Sequence, residues 1–281
     1  MNSVAIIGTG LIGASFGLAL RRAGYDGSIV GVSSPPAIAD AIAAGAIDRG
    51  ASLAEAAGEA DLVFLSQSIG RILDTIRHID PMLKPGALVT DAGSTKTEIV
   101  DLGRQFIRRG QFLGGHPMAG KETRGASSAE AGLFRDRTWV LTPDGPEELQ
   151  TPAARDLISW VRRIGSNLVI LDCVQHDRVV SLTSHLAQLA STALASTVGE
   201  HLIEKRFLKV AGPGLVDMTR LALSSYDLWR DILATNSEHI DRALSQYVQE
   251  LEHIRENLRT RELQQEFARG ADLARKLRTG E

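Results

Sequence analysis

With one cysteine, Cys173, the 281-residue sequence cannot close an intramolecular disulfide or build a cysteine-cluster metal site, so a reducing cytosol is its natural compartment. The thiol itself reads as a small buried apolar group. No stretch approaches the roughly 18 uncharged apolar residues that a membrane span needs. Met1 leads straight into Val4-Ala5-Ile6-Ile7, without the basic start and apolar core of a signal peptide. These absences predict a cytoplasmic protein with no membrane partner and no resident metal. A net charge of -3 and a pI near 6.2 give no electrostatic reason to expect nucleic acid. No internal repeat or low-complexity segment is visible. What is present, 43% hydrophobic and 23% charged residues, is enough to bury a core without staples, and the length allows two domains or one large domain with a helical appendage.

Residues 3–7 read as a buried strand, and Gly8-Thr9-Gly10-Leu11-Ile12-Gly13 follows at once, opening a helix through Ala14 to Leu20. A second strand, Ser28 to Val32, comes at the distance required of a dinucleotide-binding βαβ unit. In such a unit the first glycine makes the tight turn, the second admits the pyrophosphate and the third packs helix on strand. The pyrophosphate then sits on the helix N-terminus. The end of the second strand, where an acid would hold the ribose hydroxyls of NAD, carries Ser33 and Ser34 instead. Serine hydroxyls can donate to a 2′-phosphate that a carboxylate would repel. NADP is therefore favoured modestly over NAD, because no arginine stands at 34 to secure the phosphate.

Strand and helix go on alternating: helix over 37–44, a short strand at Ile47, helix over 53–57 and the apolar strand Leu62 to Leu65. Ser66 and Gln67 close that strand on the cofactor side. A helix over 69–79, a strand over 87–90 and a helix over 97–108 come next. The pattern predicts an α/β fold, a Rossmann-type parallel sheet with ligands beyond the strand C-termini. The loop Asp91-Ala92-Gly93-Ser94-Thr95-Lys96 lies on that edge. Asp91 or Ser94 could simply cap the next helix, the commoner role of such residues. In this fold, however, the loop faces the nicotinamide half of the cofactor, which makes Ser94 a donor near the substrate and Lys96 a cation for an anionic ligand.

Gly114-Gly115-His116-Pro117-Met118-Ala119-Gly120-Lys121-Glu122-Thr123-Arg124-Gly125 reads as a glycine-dense loop. Pro117 keeps the residue before it extended, so His116 is expected to be presented rather than packed, as a proton acceptor is held. Beyond it the sequence predicts helix over 126–133, a strand over 138–142, helix over 147–164 and a final strand over 168–171. From about Asp172 the strands stop and the chain reads as helix to Glu281. Residues 1–171 are thus expected to form the dinucleotide-binding domain and 172–281 an all-helical substrate and dimerisation domain. The first helical segment is apolar almost throughout, so His176, His185 and Gln188 on it are either satisfied core groups or cleft groups. Asp217 and Arg220 stand three apart and share a helical face. Arg220 either pairs with Asp217 or clamps a substrate carboxylate with its planar fork. Ile240, Leu244, Val248, Leu251, Ile254, Leu258 and Leu263 form an amphipathic stripe, taken as oligomer contact.

Together these motifs resemble the prephenate/arogenate dehydrogenase family along nearly the whole chain. The matching residues are Gly8 to Gly13, Asp91 to Lys96, Gly115 to Gly120 with Glu122 and Gly125, His176-Asp177, Ser184-His185-Leu186, and Asp217-Met218-Thr219-Arg220 with Trp229 and Asn236. The resemblance implies an NAD(P)-dependent oxidative decarboxylation on the route to tyrosine: prephenate to 4-hydroxyphenylpyruvate, or arogenate to tyrosine. It implies that His116 takes the proton of the ring hydroxyl, with Ser94 as companion, and that Arg220 holds a carboxylate. Glu122 and Asp217 would organise that region, and His176 and His185 would line or support the cleft. Gln188 stands where the family often has a histidine near the substrate side chain, which leaves prephenate and arogenate both open, with prephenate slightly favoured. The C-terminal amphipathic stripe makes a homodimer through the helical domain the expected assembly. Two other readings start from the same glycine triplet: a different two-domain Rossmann dehydrogenase of hydroxyacids or imines, and an NADP-binding sensor without turnover. Neither gives a reason for the His116 segment.

Overall fold

The computed structural model describes all residues except 122, 203, 261, 280 and 281, together with the side chains of 205 and 207. Its first compact unit spans Met1–Ser237 and its second Glu238–Glu281. Among the described residues no helix is long and apolar enough to cross a membrane.

The first unit opens with β1 (Ser3–Ile7), α1 (Leu11–Arg22), β2 (Ser28–Val32), α2 (Pro35–Ala43), β3 (Arg49–Gly50) and α3 (Leu53–Glu59). It continues with β4 (Leu62–Leu65), α4 (Ile69–Ile79), β5 (Leu88–Asp91), α5 (Thr97–Phe106) and β6 (Gln111–Phe112). These six strands form a parallel sheet in the order β3-β2-β1-β4-β5-β6. Strands buried on both faces are apolar at every position, and Leu62-Val63-Phe64-Leu65 is buried throughout. Successive side chains point to opposite faces. Val4, Ile6, Leu62 and Phe64 join Phe16, Trp139 and Leu157 on one side. Ala5, Ile7, Val63 and Leu65 join Ile72, Ile76 and Ile99 on the other. Strand order reverses between β1 and β4, the place where an open α/β sheet leaves a crevice.

From β6 the chain turns through Leu113 into β7 (Gly114–Pro117), which leaves the parallel sheet. β7 pairs antiparallel with β8 (Thr138–Thr142), and β8 pairs parallel with β9 (Asn167–Ile170). The segment expected to be a glycine-dense loop therefore begins as a strand, with His116 opposite Val140. Its glycines serve close approach. A Cβ at Gly115 would lie 2.7 Å from the Asp91 carbonyl oxygen, and one at Gly114 2.3 Å from Thr142 Oγ1. His116 is only 8% exposed, packed rather than presented.

Two helix expectations also change. Over 126–133 only the single turn Ala126–Ser128 forms, because Gly125, the paired serines and Gly132 are poor helix formers. The span 147–164 is split: Pro152 lacks an N–H and holds Thr151 extended, so the short turn Pro146–Gln150 ends and α6 (Pro152–Arg163) starts afresh. Thr151 Oγ1 accepts from Ala154 N at 3.2 Å as the cap.

Beyond β9 the unit is helical: α7 (Cys173–Val180), a π turn (Ser181–His185), α8 (Leu186–His201), α9 (Lys205–Leu208), α10 (Pro213–Thr219), a 3₁₀ turn (Arg220–Leu223) and α11 (Tyr226–Thr235). The second unit holds most of α12 (Ser237–Glu256) and all of α13 (Gln264–Thr279). Within it Arg269 pairs with Glu250 at 3.3 Å, while Val248, Leu251 and Leu258 of the predicted stripe stay exposed.

Candidate active site

The C-terminal ends of β1, β4 and β5 open on a cleft of about 470 Å³. The glycine loop forms one wall, Ser66 to Ile69 another, and Ala92 to Ser94 with His116 a third. Gly8 has φ +99°, which a side chain disfavours. A Cβ at Gly13 would lie 2.1 Å from the Gly8 carbonyl oxygen, whereas one at Gly10 meets nothing within 4 Å. Gly10 is thus bare toward open space, and α1 begins there with no side-chain cap. Uncapped N–H groups at a helix N-terminus attract an anion, so the loop fits a dinucleotide pyrophosphate.

The neighbouring residues divide by what their polar atoms do. Leu11 and Ile12 line the cleft. Thr9 is fully buried and donates to Ala37 O at 3.2 Å, tying the loop to α2. Ser66 Oγ donates to Gly8 O at 2.7 Å, which locks the loop to β4, and Gln67 Oε1 accepts from Thr75 Oγ1 at 2.9 Å. Ser33 and Ser34 are exposed just past β2.

Asp91 ends β5 fully buried. Its Oδ1 accepts from Gly115 N at 3.0 Å, and its Oδ2 accepts from Gly93 N at 2.8 Å and from Lys96 Nζ. Lys96 Nζ also donates to Gly115 O at 2.8 Å. Lys96 was expected to meet an anionic ligand, but its side chain has no exposure at all. The ammonium is spent on fastening β5 to β7. Burial lowers its pKa and Asp91 works against that shift.

His116, on β7, places Nδ1 2.8 Å from His176 Nε2, and His176 Nδ1 lies 2.8 Å from Asp177 Oδ1. Asp177 also caps α5 from a distant part of the chain: Oδ1 accepts from Lys96 N at 2.7 Å and Oδ2 from Thr97 N at 2.8 Å. Burial alone would raise the Asp177 pKa, but hydrogen bonds from His176, Thr97 and Lys96 hold it below its ordinary value. For His116, burial, then the neighbouring His176, Lys96 and His185, push the imidazole well below 6.5. It is neutral at physiological pH, the form that accepts a proton.

His185 sits behind this group, 1% exposed, with Nδ1 3.2 Å from Asn236 Nδ2 and its ring edge-on to Trp229 at 5.7 Å. Asn236 Nδ2 also donates to Asp177 O at 2.9 Å. Burial lowers the His185 pKa from 6.5 to about 4. A group whose folded pKa is depressed in this way leaves stability intact above the unfolded value and erodes it as pH falls from 6.5 toward about 4. Converted at about 1.4 kcal/mol per pKa unit, His185 alone should contribute an acid loss on the order of 3 kcal/mol, with His116 and His176 acting in the same direction. Denaturant midpoints measured at pH 7 and pH 4.5 should therefore differ strongly; equal midpoints would show that the imidazoles are hydrated in the folded chain.

Gln188 is buried on α8, where its Nε2 donates to Leu221 O at 2.8 Å and to Thr192 Oγ1 at 3.2 Å. Ser191 Oγ accepts from Ala222 N at 3.1 Å. Expected beside the substrate side chain, Gln188 instead fastens the Arg220–Leu223 turn. Arg220 and Asp217 are exposed and lie outside the cleft lining, and Glu122 falls outside the described residues. The structure therefore brings together the glycine loop, Ser94 and His116, with His176 directly behind. It does not bring Arg220, Asp217, Gln188 or Lys96 to the cleft wall.

Asp177 and Asp231 were assigned no role from the sequence. Asp231 Oδ2 accepts from Gly70 N at 3.0 Å, supplying α4 with the cap that Ser68 does not provide. Their signal was indirect: the residues before α5 and α4, Lys96 and Ser68, supply no side-chain cap, which leaves the first N–H groups of both helices to acids elsewhere in the chain.

Residues 16–170 match the family model described as prephenate dehydrogenase, nucleotide-binding domain, and residues 172–273 the one described as prephenate dehydrogenase, dimerization domain. Prephenate dehydrogenase of Lactococcus lactis is 32% identical over 258 residues, covering 90% of this chain and 70% of that protein. The crystal structure of prephenate dehydrogenase from Aquifex aeolicus in complex with hydroxyphenyl propionate and NAD+ superposes with a TM-score of 0.86 at 29% identity, covering 98% of this chain and 97% of that one. Synechocystis arogenate dehydrogenase superposes with a TM-score of 0.80 at 29% identity, covering 99% of both chains.

Proposed function

The chain belongs to the prephenate dehydrogenase family, and on that premise we propose that neutral His116 is the base that removes the ring-hydroxyl proton of its substrate. The chain is an NAD(P)-dependent dehydrogenase carrying out an oxidative decarboxylation in tyrosine biosynthesis. The observation that carries the assignment of the base is a single one: a neutral imidazole, hydrogen-bonded from behind, in the same cleft as the dinucleotide loop.

A bound nicotinamide dinucleotide supplies the two-electron acceptor of the oxidation. Gly10 and the α1 N-terminus would take its pyrophosphate, with Leu11 and Ile12 beneath, Ser66 holding the loop in shape and Ser33 and Ser34 near the ribose. The serines in place of an acid support NADP over NAD by a modest margin. His116 Nε2 accepts the hydroxyl proton while Ser94, on the same cleft, donates to the same oxygen. Loss of CO2 is driven by aromatisation of the substrate ring, so the protein chiefly positions the pieces. Arg220 remains the proposed carboxylate clamp, supported by its place in the Asp217-Met218-Thr219-Arg220 motif. Residues 1–171 are read as the cofactor-binding half of a cytoplasmic homodimer and 172–281 as the half through which the chains pair; the match to a dimerization domain supports the pairing.

Purified protein incubated with prephenate or arogenate and either NADP+ or NAD+ should reduce the nicotinamide with at least one of the two acids, faster with NADP+ at matched concentration. Absence of reduction with both acids and both cofactors removes the proposal. Arogenate used well in preference to prephenate would reverse the substrate order but leave the base in place.

A further inference from the structure

Four acceptor contacts define Asp177: its Oδ1 takes Lys96 N and His176 Nδ1, its Oδ2 takes Thr97 N, and its backbone oxygen takes the Asn236 amide. Both backbone N–H groups are obligatory donors, so the Asp177 carboxylate is an acceptor, and the atom of His176 that faces it, Nδ1, must carry a hydrogen. The neutral ring then has a bare lone pair at Nε2. That atom lies 2.8 Å from His116 Nδ1. A hydrogen bond at this distance needs one proton between the two nitrogens, and His176 Nε2 has none to give. His116 Nδ1 must supply it. The other His116 nitrogen, Nε2, is then the one with a lone pair.

We infer that Asp177 and His176 are positioning residues that hold His116 in its Nδ1–H tautomer, so that Nε2 is the basic nitrogen offered to the substrate hydroxyl. The inference rests on the reading of His116 as the base and assigns two residues to which that reading gives no chemical part. A free neutral imidazole prefers the opposite tautomer, with hydrogen on Nε2, which in this cleft would turn a donor toward the substrate and abolish the base. When Nε2 takes the hydroxyl proton, the O–H bond breaks, an N–H bond forms and the oxygen keeps the electron pair. The His116 imidazolium keeps its Nδ1–H donated to His176, and His176 keeps its Nδ1–H donated to Asp177. No second proton moves, and the new positive charge is shared along a chain that ends on a carboxylate.

Burial makes this arrangement rigid. His176 is 0% exposed and Asp177 1%, so no water competes for either nitrogen. The same carboxylate caps the helix that follows the Ser94 loop, so one residue sets both the tautomer of the base and the start of α5. The charged and titratable groups facing His116 are His176, Lys96 and His185, with Asp91 pairing Lys96 and Asp177 pairing His176.

The test reads the tautomer directly. In the full chain labelled with ¹⁵N-histidine, long-range ¹H–¹⁵N correlation near pH 7.5, with the ring assigned by its loss in His116→Asn, should show hydrogen on Nδ1 of His116 and none on Nε2. His176→Leu should move that hydrogen to Nε2 and lower kcat by about 10²- to 10⁴-fold, the scale of losing the acid–base group that the wrong tautomer disables, while NADP+ affinity stays within about threefold. His176→Gln, whose amide oxygen reaches the place of Nε2 and accepts from His116, should restore the Nδ1–H tautomer and most of the lost rate. Hydrogen on Nε2 in the unaltered protein overturns the inference, as does a His176→Leu variant with unchanged tautomer and rate, or a His176→Gln variant as slow as the leucine one. If His116→Asn keeps normal turnover, the assignment of the base fails as well; if that variant is inactive and only the tautomer is wrong, the base stands and the relay alone is lost.

Discussion

His116→Asn should lower turnover by a factor of about 10² to 10⁴ while NADP+ binding persists, the range a positioned acid–base group contributes. Asparagine is the informative replacement. Its amide N–H can still donate to His176 Nε2, so the hydrogen bond at 2.8 Å and the packing of β7 against β8 need not change. What it lacks is a lone pair with appreciable proton affinity near neutral pH. The dinucleotide loop is held by Gly8, Gly13 and the Ser66 hydroxyl, none of which touches the imidazole in the hydrogen-bond network, so cofactor affinity should be preserved. The pH profile of the unaltered enzyme gives an independent check. Because His116 is held well below 6.5, kcat/KM should be level through neutrality, and its acid limb should lie below that value. Turnover within a factor of two of normal in the asparagine variant, or an acid limb centred above pH 7, would place the base elsewhere.

The parallel sheet was legible from the sequence because strands covered on both faces must be apolar at every position, and Leu62-Val63-Phe64-Leu65 leaves no alternative period. The glycine loop was legible for a related reason: Gly8, Gly10 and Gly13 each answer a different steric demand, and their spacing encodes all three. The segment around His116 was misread because glycine and proline are loop signals when seen locally. Here Gly114 and Gly115 let a strand pass within contact of Thr142 and Asp91, a demand set by residues 24 or more positions away. Sequence periodicity also left His176 undecided between core and cleft. It is a core residue by burial and a functional one by contact, a combination no hydrophobic pattern can express. Asp177 stood out only as half of the His176-Asp177 motif and received no role of its own, since its partners, Lys96 and Thr97, lie some 80 residues earlier in the chain. Gln188 and His185 drew attention as polar groups on an apolar helix, correctly as regards burial; their partners at Leu221 and Asn236 are what consume them.

Lys96 is where the two kinds of reading diverge most, and Lys96→Met separates them. Were its ammonium a ligand for substrate, the variant would fold normally and raise KM. The structure instead puts Lys96 and Asp91 together at 0% exposure, with the carboxylate also accepting from Gly93 N and Gly115 N. Removing one member of a buried pair leaves the other charge without compensation, at a cost of about 3 to 5 kcal/mol. Methionine keeps most of the volume of the side chain, so little of that cost is a cavity, and the two backbone donors that remain cannot neutralise the carboxylate. The expected result is a large drop in the denaturant midpoint, accompanied by loss of kcat because Asp91 and Lys96 together fix Gly115, the residue before the base. Adding Asp91→Asn to Lys96→Met should recover part of the stability, since a neutral amide is far less costly to bury than an unpaired carboxylate. A single variant with unchanged midpoint and a raised KM would return Lys96 to the substrate; a double variant less stable than the single one would mean that the carboxylate, through Gly93 and Gly115, contributes more than the charge it leaves behind.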